Sequence, residues 1–208
     1  LISVPFLVMI DPLLVPAPFL FASLVLALLM VVRDRIAIDV GEIKVAVVGL
    51  VIGTAVGAGT LLVVSKDNLP ELFGGLILLA VAISAFGLRA RIGRASLLTA
   101  GAIGGVMGTM GGVHGPAMIL LYQGQSGARV RASLGAFFVF GYTISLVGLW
   151  LIGLFDGPAF LHGVALCPGI LVGWLMAPLL IRRLDATRLR PIILIVSAVA
   201  ALLLLIGG

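Results

Sequence analysis

The segment Gly111-Gly112-Val113-His114-Gly115-Pro116 gathers, inside an apolar stretch, residue types that interrupt a helix and could hold a negative charge. Paired glycines and a glycine-proline step end one helix and open another. Pro116 suits the first turn of the new helix, whose free amides and positive dipole end point back at the break. A helix end of this kind is an anion site. The expected donors are backbone amides between Gly112 and Ala117, with Val113 and Gly115 in the same stretch. His114 sits at the centre and can donate to an anion in either protonation state. Its plainer role is that of a packing histidine.

A second set of residues echoes the first. Pro5 with Phe21-Ala22-Ser23-Leu24 recurs as Pro116 with Arg131-Ala132-Ser133-Leu134, and Gly49 and Gly53 recur as Gly169 and Gly173. By this correspondence Ser3, Val4 and Pro5 take the places of the residues around His114 and Pro116. A second helix N-terminus is therefore expected opposite the first, with amides of Ser3 to Phe6 as donors. Ser23 and Ser133 occupy matching places and could line a cavity with hydroxyls, or bond only to their own helices. Arg131 is a candidate substrate contact, against the ordinary alternative of a helix-end arginine reaching for water.

Other chemistries lack their residues. The chain has eight carboxylates, and every one falls in a loop or at a helix end, so no buried carboxylate relay for sodium or protons is present. His114 is left as the candidate for proton coupling, and uniport is the simpler expectation. Cys167 is the sole cysteine, which excludes a CxxC thiol relay. Neither an HExxH metal motif nor a GxSxG nucleophile turn occurs, and His162 has no evident partner, so an enzyme is not expected, nor a metal or cofactor. A membrane redox or structural subunit is the rival reading.

These residues sit in a chain that is 62% hydrophobic and 10% charged, too apolar to clothe itself as a soluble domain. An integral membrane protein follows, with the lipid bilayer as its surroundings. The thirteen Lys and Arg lie in or beside short polar gaps, where they report topology and not nucleic-acid binding. The sequence opens at Leu1 without Met, n-region or cleavage site, and the internal repeat leads to the expectation of further residues before it.

Apolar runs fit to cross a bilayer occur at 17–32, 45–65, 69–88, 132–155, 160–181 and 191–206. Residues 95–122 can either cross or dip in and return. If they cross, the basic residues divide almost evenly between the two faces. If they return, every basic residue except Lys66 falls on one face, as cytoplasmic loops require. The return is therefore expected, with residues 1–10 as the second arm of an earlier hairpin. The predicted fold is an all-α integral membrane protein of two inverted-topology repeats, 1–94 and 95–208. Each is a re-entrant broken-helix hairpin plus three transmembrane helices, the first hairpin cut short. Glycine-rich faces make a homodimer a candidate assembly.

The Gly111 to Pro116 motif, followed by Leu120-Leu121-Tyr122 and Arg131-Ala132-Ser133, resembles the second-half signature of the sulfite exporter TauE/SafE family. Residues 1–24 resemble its first-half signature. The resemblance implies an inner-membrane, multi-pass carrier of small sulfur-containing or organic anions, such as sulfite, thiosulfate or sulfoacetate. An interior-negative potential of about 100 mV would push a monovalent anion outward by about 2.3 kcal/mol. Export without a coupling ion is thus favourable.

Overall fold

A computed structural model describes residues 3–34, 38–65, 68–86, 91–181 and 186–207. Arg35, Lys66, Arg89, Arg182 and Arg183, which carry part of the charge reading, lie outside the described residues, as does the side chain of Pro5. Among the described residues the regular structure is helical throughout: α1 Ser3–Ile10, α2 Ala17–Asp34, α3 Val40–Val63, α4 Leu69–Phe86, α5 Arg94–Gly111, α6 Pro116–Tyr122, α7 Gly127–Leu151, α8 Gly157–Ile181 and α9 Ala186–Gly207, with a 3₁₀ turn at Pro12–Leu14. Apolar runs become helices because a helix satisfies its backbone within one segment, with no call on water. By length and composition, Val40–Val63, Gly127–Leu151 and Gly157–Ala177 can cross a membrane. Ala17–Val32, Glu71–Ala85 and Pro191–Leu203 are shorter apolar helical stretches.

The polar residues of the gaps set the helix starts. Asp39 caps α3, its carboxylate accepting from the amides of Gly41 at 3.0 Å and Glu42 at 3.1 Å. Ser126 caps α7, and Asp156 accepts from the amide of Ala159 at the start of α8.

The tightest packing joins α3 to α5. Gly49 and Gly53 of α3 lie directly against the backbone of α5 at Leu98, Ala102 and Val106, and Gly101 and Gly105 of α5 lie against Ala46, Leu50 and Gly53 of α3. A Cβ on Gly53 would stand 2.8 Å from the Ala102 carbonyl carbon and 2.9 Å from the Val106 nitrogen. Only glycine permits that approach, the usual device for joining helices where lipid removes the hydrophobic drive. The glycine run of α5 therefore serves two faces. Gly101 and Gly105 meet α3, while Gly104 and Gly108 face Phe137 and His114.

Six further helix contacts position the rest of the bundle. Helix α2 packs on α8 and α7 packs on α3; α1 meets α9 and α6 meets α4; α2 pairs with α7, and α4 with α9. One mismatch stands out. Gly169 and Gly173 of α8, the sequence counterparts of Gly49 and Gly53, face open space.

Candidate functional site

Helix α5 ends at Gly111, and the capping residue Gly112 takes the left-handed conformation (φ 73°) and donates its amide to the Gly108 carbonyl at 2.8 Å. Glycine alone adopts this turn without strain. The Val113 amide reaches back to Met107 at 3.4 Å. Pro116 then opens α6 at its first position. The new helix runs back beside the old one: Leu121 and Tyr122 share a packed cluster with Leu97 and Ala100 from the start of α5. Residues 95–122 thus form a helix, a break and a second, shorter helix packed on the first. All residues from Gly104 to Met118 are buried except Val106, which is half-buried.

The first turn of a helix has no intrahelical acceptors for its amides, and Pro116 carries none. The amides of Ala117 and Met118 therefore face the break. The start of α1 lies against the same place. A Cβ on Gly112 would stand 3.7 Å from the Val4 side chain, and Val4 packs in one cluster with Val113. Ser3 is exposed beside it and lines an apolar pocket of about 310 Å³ with Phe6, Leu7, Phe19, Leu166 and Ile170.

His114 is 1% exposed. Its ring lies flat on Gly108 of α5 and edge-on to Gly141 of α7, where a Cβ would come within 2.8 Å of Cδ2. Tyr142 meets it edge to face at 4.8 Å between ring centres. Nε2 is 3.0 Å from Ser145 Oγ, Ser145 Oγ is 2.7 Å from Thr109 Oγ1, and Thr109 Oγ1 donates to Thr54 Oγ1 at 3.1 Å. A polar string thus runs from the break through α7 and α5 to α3. Thr109 and Ser145 are wholly buried and Thr54 nearly so. This is strong cohesion for an apolar bundle, since a buried hydroxyl left without a partner costs about 1–3 kcal/mol.

The expected site residues separate into two groups. Ser3, Val4, Gly112, Val113, His114, Gly115, Pro116 and Ala117 gather around the break. Ser23 joins them indirectly, its hydroxyl facing the Tyr142 phenol. Ser133 and Arg131 stand elsewhere on α7. Gly141 touches the His114 ring, and at 1.5 Å per residue Ser133 lies roughly 12 Å and Arg131 roughly 15 Å further along the helix. Ser133 is buried beside the Tyr122 phenol, and Arg131 is exposed.

That far end has its own polar cluster. Tyr122 Oη donates to Glu42 Oε2 at 2.8 Å, and Arg129 donates to Glu42 Oε1 at 2.7 Å, with Asp39 4.0 Å from the same guanidinium. Glu42 thereby ties the start of α3 to the end of α6 and the start of α7. Sequence reading missed Thr54, Thr109, Ser145 and Glu42. Single hydroxyls in apolar helices were the available signal, yet nothing in their spacing says which of them meet. Among the described residues no group of His, Cys, Asp and Glu could hold a metal ion.

Residues 1–204 match the family model described as sulfite exporter TauE/SafE. No curated protein and no solved structure matches the chain.

Proposed function

Because the chain belongs to the sulfite exporter TauE/SafE family, we propose that it exports small sulfur-containing or organic anions of the sulfite, thiosulfate and sulfoacetate class across the inner membrane by alternating access. The observation that carries this reading is the buried break at 112–115. It brings the free first-turn amides of α6 and the start of α1 to one place, with His114 between packed helices. Broken backbone is tolerated at membrane depth only where it is buried in protein or lines a wet cavity, and transporters place substrate at such breaks.

Two inverted repeats, 1–94 and 95–208, account for the paired contacts. An operation exchanging α1 with α6, α2 with α7, α3 with α8 and α4 with α9 turns the α2–α8 contact into α7–α3, and α1–α9 into α6–α4. The pairs α2–α7 and α4–α9 map onto themselves, as contacts on a two-fold axis must. Residues 95–122 are the re-entrant hairpin of the second repeat, and α1 is the returning arm of the first. Substrate held between the two hairpin tips would be exposed to alternate faces as one repeat rocks against the other. Amides of Ser3 to Phe6 and of Gly112 to Ala117 provide the hydrogen bonds, with His114 at the tip and Ser23 behind Tyr142. Ser133 and Arg131 stand roughly 12 and 15 Å further along α7 from the place where it meets His114.

Purified protein in liposomes, loaded with radiolabelled sulfite, thiosulfate or sulfoacetate under an imposed potential, tests this. Efflux above that of empty liposomes, driven by a potential negative on the loaded side, is expected for at least one anion. Equal efflux with and without protein for all of them would overturn the reading.

A further inference from the structure

The polar string fixes where the proton of His114 must be. A hydroxyl has one proton to give. Thr109 gives its proton to Thr54, so the 2.7 Å contact with Ser145 must be donated by Ser145. Ser145 then has none left for the imidazole, and the 3.0 Å contact at Nε2 must be donated by His114. The order His114, Ser145, Thr109, Thr54 is therefore a one-way chain of donors. In neutral imidazole it leaves Nδ1 unprotonated.

Nδ1 is the difficulty. It is buried and has no hydrogen-bonding partner among the described residues. The ring meets Gly108 from α5, and Gly141, Tyr142 and Ser145 from α7; Tyr142 is the titratable group of that set. No carboxylate or cationic side chain hydrogen-bonds to the ring among the described residues. A lone pair here lacks a donor, and a proton placed here would make a buried cation without a counter-charge. One addition satisfies both conditions: an anion and a proton together. Imidazolium with an oxyanion, and imidazole accepting from a protonated oxyanion, have the same composition. In each, Nε2 keeps its hydrogen on Ser145, so the string need not rearrange.

Building on the anion-transport reading, we propose that Nδ1 of His114 binds the carried oxyanion together with one proton, and that Thr54, Thr109 and Ser145 are positioning residues that hold this nitrogen open. The proton comes from the face where the anion enters, either from water or on the anion itself, and leaves with it on the other. No bond other than N–H or O–H is made or broken. By linkage, each ligand tightens the binding of the other by the same factor. A monovalent anion would then cross without net charge, in place of the uniport that the absence of buried carboxylates led one to expect.

The full chain is reconstituted in liposomes holding a trapped pH dye, with sulfite and thiosulfate as probes. Thiosulfate is unprotonated near neutral pH, so a proton travelling with it is carried by the protein. Proton movement is expected to accompany anion flux in the unsubstituted protein and in T109S, which keeps the hydroxyl. It should fall at least ten-fold in T109V, which frees the Ser145 proton to turn toward Nε2. In H114Q, which keeps a donor in place of Nε2 but has no basic nitrogen, it should fall to the level of empty liposomes. Anion flux without protons in the unsubstituted protein, or proton movement retained in H114Q, overturns the proposal and leaves the anion reading standing. No flux of either anion removes both. Should the variants fail to fold, ¹⁵N NMR of histidine-labelled H162Q decides from the native His114 ring. An Nε2–H tautomer supports the proposal, and an Nδ1–H tautomer overturns it.

Discussion

Replacing Gly53 by alanine places one methyl group where α3 and α5 touch backbone to backbone. The new Cβ would lie 2.8 Å from the Ala102 carbonyl carbon and 2.9 Å from the Val106 nitrogen, and closer still to the Ala102 oxygen. None of these atoms can move alone, so the helices must part, loosening Gly49 against Leu98 and Gly105 against Leu50 as well. Overpacking of this kind costs about 1–3 kcal/mol, against which alanine recovers up to about 1 kcal/mol in helix propensity. A net loss of about 1–2 kcal/mol is expected, lowering the melting temperature by about 2–8 °C for a chain of this size. Gly59 supplies the control on the same helix. Nothing lies within 4 Å of its Cβ position, so G59A should melt at or up to about 4 °C above the unsubstituted protein. Thermal unfolding in detergent, followed by tryptophan fluorescence, measures both. A G53A protein as stable as G59A would refute the view that backbone contact between α3 and α5 sets the stability of the bundle.

Other outcomes follow from the same geometry. E42A removes the acceptor of both Tyr122 and Arg129 and should cost about 1–2 kcal/mol, allowing for partial exposure, whereas Y122F removes one bond and should cost about 0.5–1 kcal/mol, both read from melting. G112V forces a β-branched residue to φ 73° with the Phe19 ring 2.7 Å from its Cβ, and anion efflux should drop at least ten-fold. G124A, also at positive φ (90°) but in open space, should keep its efflux, and equal losses in the two variants would sever the tip from transport. On a C167S background, cysteines placed at Lys66 and Gln125 should label from opposite faces of the membrane. Labelling from the same face would mean that residues 95–122 cross instead of returning.

Much of the fold was legible because membrane helices announce themselves twice, in the length of an apolar run and in the charge of its ends. The runs at 17–32 and 69–88 correspond to α2 and α4, and the glycine-proline step to a break with α5 ending at Gly111 and α6 opening at Pro116. The site was legible only in outline. Backbone chemistry marks where a helix must stop, so Gly112, His114 and Pro116 stood out. A serine or threonine in an apolar helix gives no such sign. Thr54, Thr109 and Ser145 are polar specks in separate segments until packing aligns them, and Arg131 resembles a site residue in sequence although it stands exposed a few turns away.

The sequence by itself determined the class: 62% hydrophobic composition leaves a bilayer as the surrounding in which this chain can be stable, and its glycines and prolines fix where the helices break. Only the tertiary structure decided which helix faces meet. A face is chosen by contacts between segments far apart in the chain, and these depend on atoms a glycine does not have as much as on those other residues do. Gly53 and Gly173 are equal in sequence and unequal in space, one pressed on a carbonyl and the other facing nothing. The partners of His114 are decided the same way, by packing that brings Ser145, Thr109 and Thr54 together from three helices.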